Sequence, residues 1–139
     1  MNLKDFFIAL SENRALNSAA QKYGFKLGAQ SVVAGTTIDE VIVNIKVLNK
    51  HGIACTVDNL GEFVFEKSEA LAAKEQILAV IERIHTEQVN AHISLKPSQL
   101  GLDIDYDFCF ENLKDIVEIA NKYGTFINID MESTKHLQP

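Results

Sequence analysis

Short apolar runs alternate with amphipathic stretches along the chain, and turn-forming residues separate them. FFIAL (6–10) and then RALNSAAQKY (14–23), with Leu16, Ala19 and Tyr23 roughly on one face, predict one or two short helices over residues 3–23, stopped by Gly24. SVVAG (31–35) is a β-branched run closed by glycine. TIDE (37–40) is a capping box, Thr37 facing Glu40, that opens a helix whose stripe is Val41, Ile42, Ile45 and Leu48 and whose end is Gly52. IACTVD (53–58) predicts the next strand and NLGEFVFEKS a loop. Ser68 is the expected cap of a helix carrying Leu71, Leu78, Ile81 and Ile84 on one side, to about Glu87. HISLK (92–96) reads as a third strand and LGLDIDYD as a loop. Phe110, Leu113, Ile116, Val117 and Ala120 then recur at helical spacing up to Gly124, before TFINID (125–130) gives a fourth strand.

Four strands joined by helices, with the strands apolar on both faces, predict a parallel sheet covered by helices. A helical segment over 1–29 precedes this pattern, which occupies 30–139. Asp58, Lys96 and Asp130 are spaced by 38 and 34 residues, near the roughly 31 residues per βα unit of a (β/α)₈ barrel. About four such units make half a barrel. A doubly wound open sheet of four or five strands suits the length better, and the pattern as a whole leaves both architectures open. AGTT in the first βα loop has neither GxGxxG nor the P-loop pattern, so no phosphate cradle is expected there.

Composition narrows the partners. With 47% hydrophobic and 23% charged residues the chain is globular, and 13 basic against 19 acidic side chains give a net charge of −6 with no basic cluster, which argues against nucleic acid. Cys55 and Cys109 lie far apart without a CxxC partner, and the four histidines form no HxH or HExxH pattern. Neither a metal site nor a disulfide framework is expected, and a reducing cytoplasm fits. FFIAL is far shorter than a membrane span, so attachment to a membrane would be peripheral.

Three predicted strands end on an ionisable residue: Asp58, Lys96 and Asp130. Strand ends meet water and carry polar groups anyway. Lys96 stands out because Pro97 holds it extended and ends the ladder, so its side chain is aimed by the strand before it. Alternation places Ser94 and Lys96 on one face and Ile93 and Leu95 on the other. An aimed ammonium binds a carboxylate or phosphate, or, if desolvated, acts as an amine nucleophile. Asp130, one strand onward, is placed to pair with it. Asp58, Asn59 and Gly61 are explained by turn chemistry, whereas Glu62, in a strand-to-helix loop, is a candidate to hold a lid cation or a substrate amine.

VVAGTTIDEV, TVDNLGEFV, ISLKPSQLGLDID and INIDMES, in that order, resemble the amino-terminal half of the monofunctional bacterial proline dehydrogenases. The resemblance covers nearly all of residues 30–133 and implies a TIM-like (β/α)₈ barrel. It also implies FAD as cofactor, oxidation of L-proline to Δ1-pyrroline-5-carboxylate, and a membrane quinone as electron acceptor. By the same resemblance Lys96 contacts the proline carboxylate and Asp130 belongs to the catalytic centre. Met131 touches FAD through its backbone, and Glu62 forms a gating ion pair with an arginine from late in the family's chain.

The arginine that the resemblance implies near the flavin, the late arginine pair with its glutamate and most flavin contacts have no counterpart before Pro139. The expectation is a fragment that is inactive alone and self-associates through open sheet edges. Two other classes use the same residues: a Schiff-base aldolase or lyase with Lys96 as nucleophile, and a half-barrel that serves only as an assembly module.

Overall fold

Helix starts and stops organise the chain, and their hydrogen bonds follow from the residues at the ends. The computed structural model describes residues 34–59 and 64–130, so the expected leading helices and residues 31–33 of the first strand run lie outside it. Helix α1 (Ile38–Lys50) opens as its capping box requires, with the Glu40 N–H donating to Thr37 Oγ1 at 3.3 Å. The reciprocal arm is displaced by one residue: the Glu40 carboxylate accepts from the N–H (2.8 Å) and hydroxyl (2.9 Å) of Thr36. Ile42 and Ile45 are buried, but Leu48 is 41% exposed. Asn49, at 100° per residue, continues the buried line instead. Its side-chain oxygen accepts from the N–H of Asn90 (2.6 Å) and its nitrogen donates to the carbonyls of Ile53 and Asn90, tying the end of α1 to the segments that enter the next two strands.

Strand β1 (Cys55–Asp58), helix α2 (Lys67–Thr86), strand β2 (Ala91–Leu95), a 3₁₀ turn (Pro97–Leu100), helix α3 (Tyr106–Tyr123) and strand β3 (Ile127–Ile129) follow. The strands are parallel in the order β1-β2-β3, with Asp58 opposite Ser94 and Leu95 opposite Ile129. Helix α2 starts one residue before Ser68, and Ser68 is not its cap. The Glu69 carboxylate does that work, accepting from the N–H groups of Phe65 (3.0 Å) and Glu66 (3.1 Å). All three helices end in the same way, with paired bonds from the residue in the left-handed conformation and from its successor: Ile53 to Leu48, Val89 to Ile84, Thr125 to Ala120. Gly52 and Gly124 take that conformation readily; after α2 it falls to Gln88, at φ 55°.

One core joins these elements. Ile77 and Ile81 of α2, Ile116 and Ala120 of α3, and Ile93 and Leu95 of β2 are buried together, with Val57 and Ile127 packed against them from the neighbouring strands. Each fully buried branched side chain stabilises by about 2 kcal/mol. Both crossover helices therefore cover the same sheet face. The other face is polar, which corrects the expectation of strands apolar on both sides. Thr56 Oγ1 lies 2.8 Å from His92 Nε2, and the Asn128 amide donates to Ser94 Oγ at 3.1 Å across β2 and β3.

The helix stripes follow expectation at Ile81, Ile84, Ile116 and Ala120 and depart from it at Leu71, Phe110 and Val117. Buried positions are Ala70, Ile77, Ile81 and Ile84 on α2, and Cys109, Asn112, Ile116 and Ala120 on α3, while Leu71, Phe110 and Val117 are exposed. The cause is the turn after β2. It runs so close that a Cβ on Gly101 would stand 2.9 Å from the Phe108 ring and 3.6 Å from the Ala70 Cβ. A small residue is needed on α2 there, and a polar one on α3: the buried Asn112 amide donates to the Leu100 carbonyl at 3.1 Å.

Candidate functional site

The polar sheet face meets the carboxyl ends of the strands at one rim. β2 delivers Lys96 there immediately before Pro97, in the extended conformation (φ −115°, ψ 131°) that a residue before proline favours. β3 delivers Asp130, whose N–H donates to the Leu95 carbonyl at 2.8 Å, so the ladder continues one step past Ile129. That step sets Lys96 and Asp130 abreast on adjacent strands, about 4.8 Å apart in backbone spacing. Ser94 and Asn128 lie one pleat earlier on the same face and are bonded to each other. Lys96 is partly buried and Asp130 is exposed.

Asp58 shares this face but stands opposite Ser94, two residues short of the Lys96 level, and is exposed. The expected turn after Asp58 extends beyond the described residues; the Asn59 side-chain amide reaches Gln76 on α2 at 3.1 Å. Glu62 and Met131 lie outside the described residues. Cys109 is buried with its Sγ 3.4 Å from the Pro97 carbonyl, whereas Cys55 is partly exposed; both are free thiols. His85 stacks on Tyr123 at 4.4 Å. Among the described residues no group of His, Cys, Asp and Glu is arranged to hold a metal ion, and no helix is long and apolar enough to cross a membrane.

Several residues that build the rim carry no motif. Gln99, in the 3₁₀ turn, is buried; its side-chain oxygen accepts from the Lys96 N–H at 3.3 Å and its amide donates to the Asn59 carbonyl at 2.6 Å. Asp105 caps α3 by accepting from the Phe108 N–H (3.1 Å) and also accepts from the Lys67 ammonium (3.2 Å), which lies 4.8 Å from the Phe108 ring centre. The Phe108 N–H foremost, then Lys67, holds the Asp105 carboxyl below the usual carboxylate range. An amide on the buried stripe of α3, Asn112, was the available sequence signal that a turn packs there. Gln99 gives no comparable signal, since its burial arises only when three elements meet.

The helices cover one sheet face, and a lysine and an aspartate stand side by side at the strand ends of the other, the end at which parallel α/β architectures gather their functional groups. Comparison with known proteins makes this specific: the family model for proline dehydrogenase matches residues 41–139, and the chain belongs to that family. Proline dehydrogenase 2 of Bacillus subtilis (strain 168) is 37% identical over 138 residues, covering 99% of this chain and 46% of the relative. Proline dehydrogenase 1 of the same organism is 35% identical over 136 residues, covering 98% and 45%. The chain thus spans a little under half the length of these relatives. Among solved structures, proline utilization A (PutA) from Bdellovibrio bacteriovorus, inactivated by N-propargylglycine, matches with a TM-score of 0.72 at 19% identity, over 96% of this chain and 16% of that one. This last likeness concerns the fold.

Proposed function

We propose that the chain contributes the amino-terminal strands of a TIM-like (β/α)₈ proline dehydrogenase, with Lys96 gripping the carboxylate of L-proline at the barrel mouth. The observation that carries this reading is the placement of Lys96 abreast of Asp130 on the polar face of the sheet. Unbroken strand order with both helices on one face supports a barrel wall over a doubly wound sheet, which reverses its strand order and is covered on both faces. The polar face is then the barrel interior.

In this reading Asp130 keeps Lys96 protonated and directed toward the bound acid. Ser94 and Asn128, bonded to each other, make a fixed floor beneath the pair. Hydroxyl, carboxamide, ammonium and carboxylate groups on one face suit a flavin ring, which offers several carbonyl and ring-nitrogen hydrogen-bonding positions. FAD, when bound, supplies the hydride acceptor for oxidation of L-proline to Δ1-pyrroline-5-carboxylate; Met131 is assigned to hold it, and Glu62 to the gating ion pair. Electrons pass on to a quinone, with the protein cytoplasmic and peripheral at the membrane. An ion pair at an open rim contributes about 1 kcal/mol or less, so the 139-residue chain alone binds L-proline weakly and does not turn over.

The test is a chimera in which this chain replaces the matching portion of Bacillus subtilis proline dehydrogenase 2. L-proline should reduce an electron-acceptor dye, and Lys96→Met should raise KM at least tenfold. A chimera that folds, holds flavin and fails to oxidise L-proline contradicts the reading.

A further inference from the structure

The direction of Lys96 depends on what holds its backbone, and the rim contains one side chain built for that. Gln99 is 2% exposed. A buried carboxamide is costly unless both its ends are bonded, and here the two ends join different strands. Its oxygen accepts from the Lys96 N–H, the group that follows the last ladder residue of β2, and its nitrogen donates at 2.6 Å to the Asn59 carbonyl, just beyond the end of β1. The Gln99 N–H in turn donates to the Lys96 carbonyl at 3.0 Å, so Lys96 is held on both sides of its Cα. Asn59 is itself tied to Gln76 of α2 at 3.1 Å. The turn that carries Gln99 cannot drift, because Asn112 holds the Leu100 carbonyl and the Cys109 thiol meets the Pro97 carbonyl.

We propose that Gln99 is the positioning residue for Lys96. It fastens the lysine's backbone to the end of β1, so that the path of the ammonium into the mouth is set before substrate arrives. Resting on the proline reading above, this names the group that prepares the carboxylate grip. Gln99 itself does not touch substrate. Length is decisive: Asn is one methylene too short to span the Lys96 N–H and the Asn59 carbonyl, and Met has the right length without the carboxamide that makes both bonds.

Amide hydrogen exchange in the 139-residue chain, followed by NMR, tests it. In the wild type the Gln99 side-chain amide protons should exchange slowly. In Gln99→Met and Gln99→Asn the Lys96 N–H should exchange at least tenfold faster, while the Ile81 and Ile116 amides in the core stay within twofold. Rapid exchange of the Gln99 amide in the wild type, which needs no variant to fold, overturns the proposal. So does an unchanged Lys96 rate, or a rise shared equally by Ile81 and Ile116, which marks Gln99 as merely structural. L-proline titration separates the two ideas. The Lys96 resonance should move with L-proline in the wild type, and the apparent dissociation constant should rise at least fivefold in Gln99→Met. A wild-type Lys96 indifferent to L-proline counts against the substrate reading, while the exchange rates still decide the role of Gln99.

Discussion

At Gly101 the backbone takes φ 97° and a methyl would meet the Phe108 ring at 2.9 Å, so two independent penalties coincide. Gly101→Ala should lower stability by about 2–3 kcal/mol in denaturant titration. Gln88 is the opposite case: an exposed residue already in the left-handed region at the end of α2, where Gln88→Gly should raise stability by about 0.5–1 kcal/mol, read as a higher thermal midpoint. Asp105 gives a pH dependence of known sign. Its folded-state pKa is lowered, so its contribution is present above the ordinary carboxylate value near 4 and fades as pH falls through the lower folded value. The thermal midpoint should drop more steeply on acidification in the wild type than in Asp105→Asn, which keeps a capping oxygen and loses the charge; identical slopes would exclude this. Lys96 and Asp130 were legible because each follows an apolar strand and one precedes proline. The buried amide of Gln99 was not, because its partners, the Lys96 N–H and the Asn59 carbonyl, belong to two strand ends that meet only in the folded sheet.

For the elements, existence and helix ends were readable while facing was readable only in part. Gly52 and Gly124 stop helices as their conformational freedom implies, and the three described strands lie where apolar runs predict. The stripes were assigned rightly at Ile81, Ile84, Ile116 and Ala120, but also to Leu71, Phe110 and Val117, which are exposed. The turn after β2 decides facing instead, admitting Ala70 and Asn112 where volume alone favours leucine or phenylalanine. Ala70→Leu should therefore destabilise by about 1–3 kcal/mol despite adding apolar area, as overpacked sites do; an unchanged midpoint in urea would show room that the close turn denies.

In the whole molecule, parallel strands with helices on one side leave β3 with no further strand beside it among the described residues, and there Phe126 and Ile129 are 66% and 54% exposed. Such an edge attracts another copy. The 139-residue chain should elute earlier from a sizing column as its concentration rises, and Ile129→Lys should weaken that trend; one elution volume at all concentrations would refute it. The same open side explains why the alternating period could not distinguish barrel from open sheet, since closure depends on strands that the spacing of these few does not reveal.

The central claim concerns one ammonium and one carboxylate, and a cycle crossing Lys96→Met with removal of the ligand's charge isolates them. Binding of L-proline and of prolinamide to wild-type and Lys96→Met protein would be measured by NMR titration. A carboxylate grip predicts that the wild type prefers L-proline and that the preference disappears in Lys96→Met; equal preference in both proteins would contradict it.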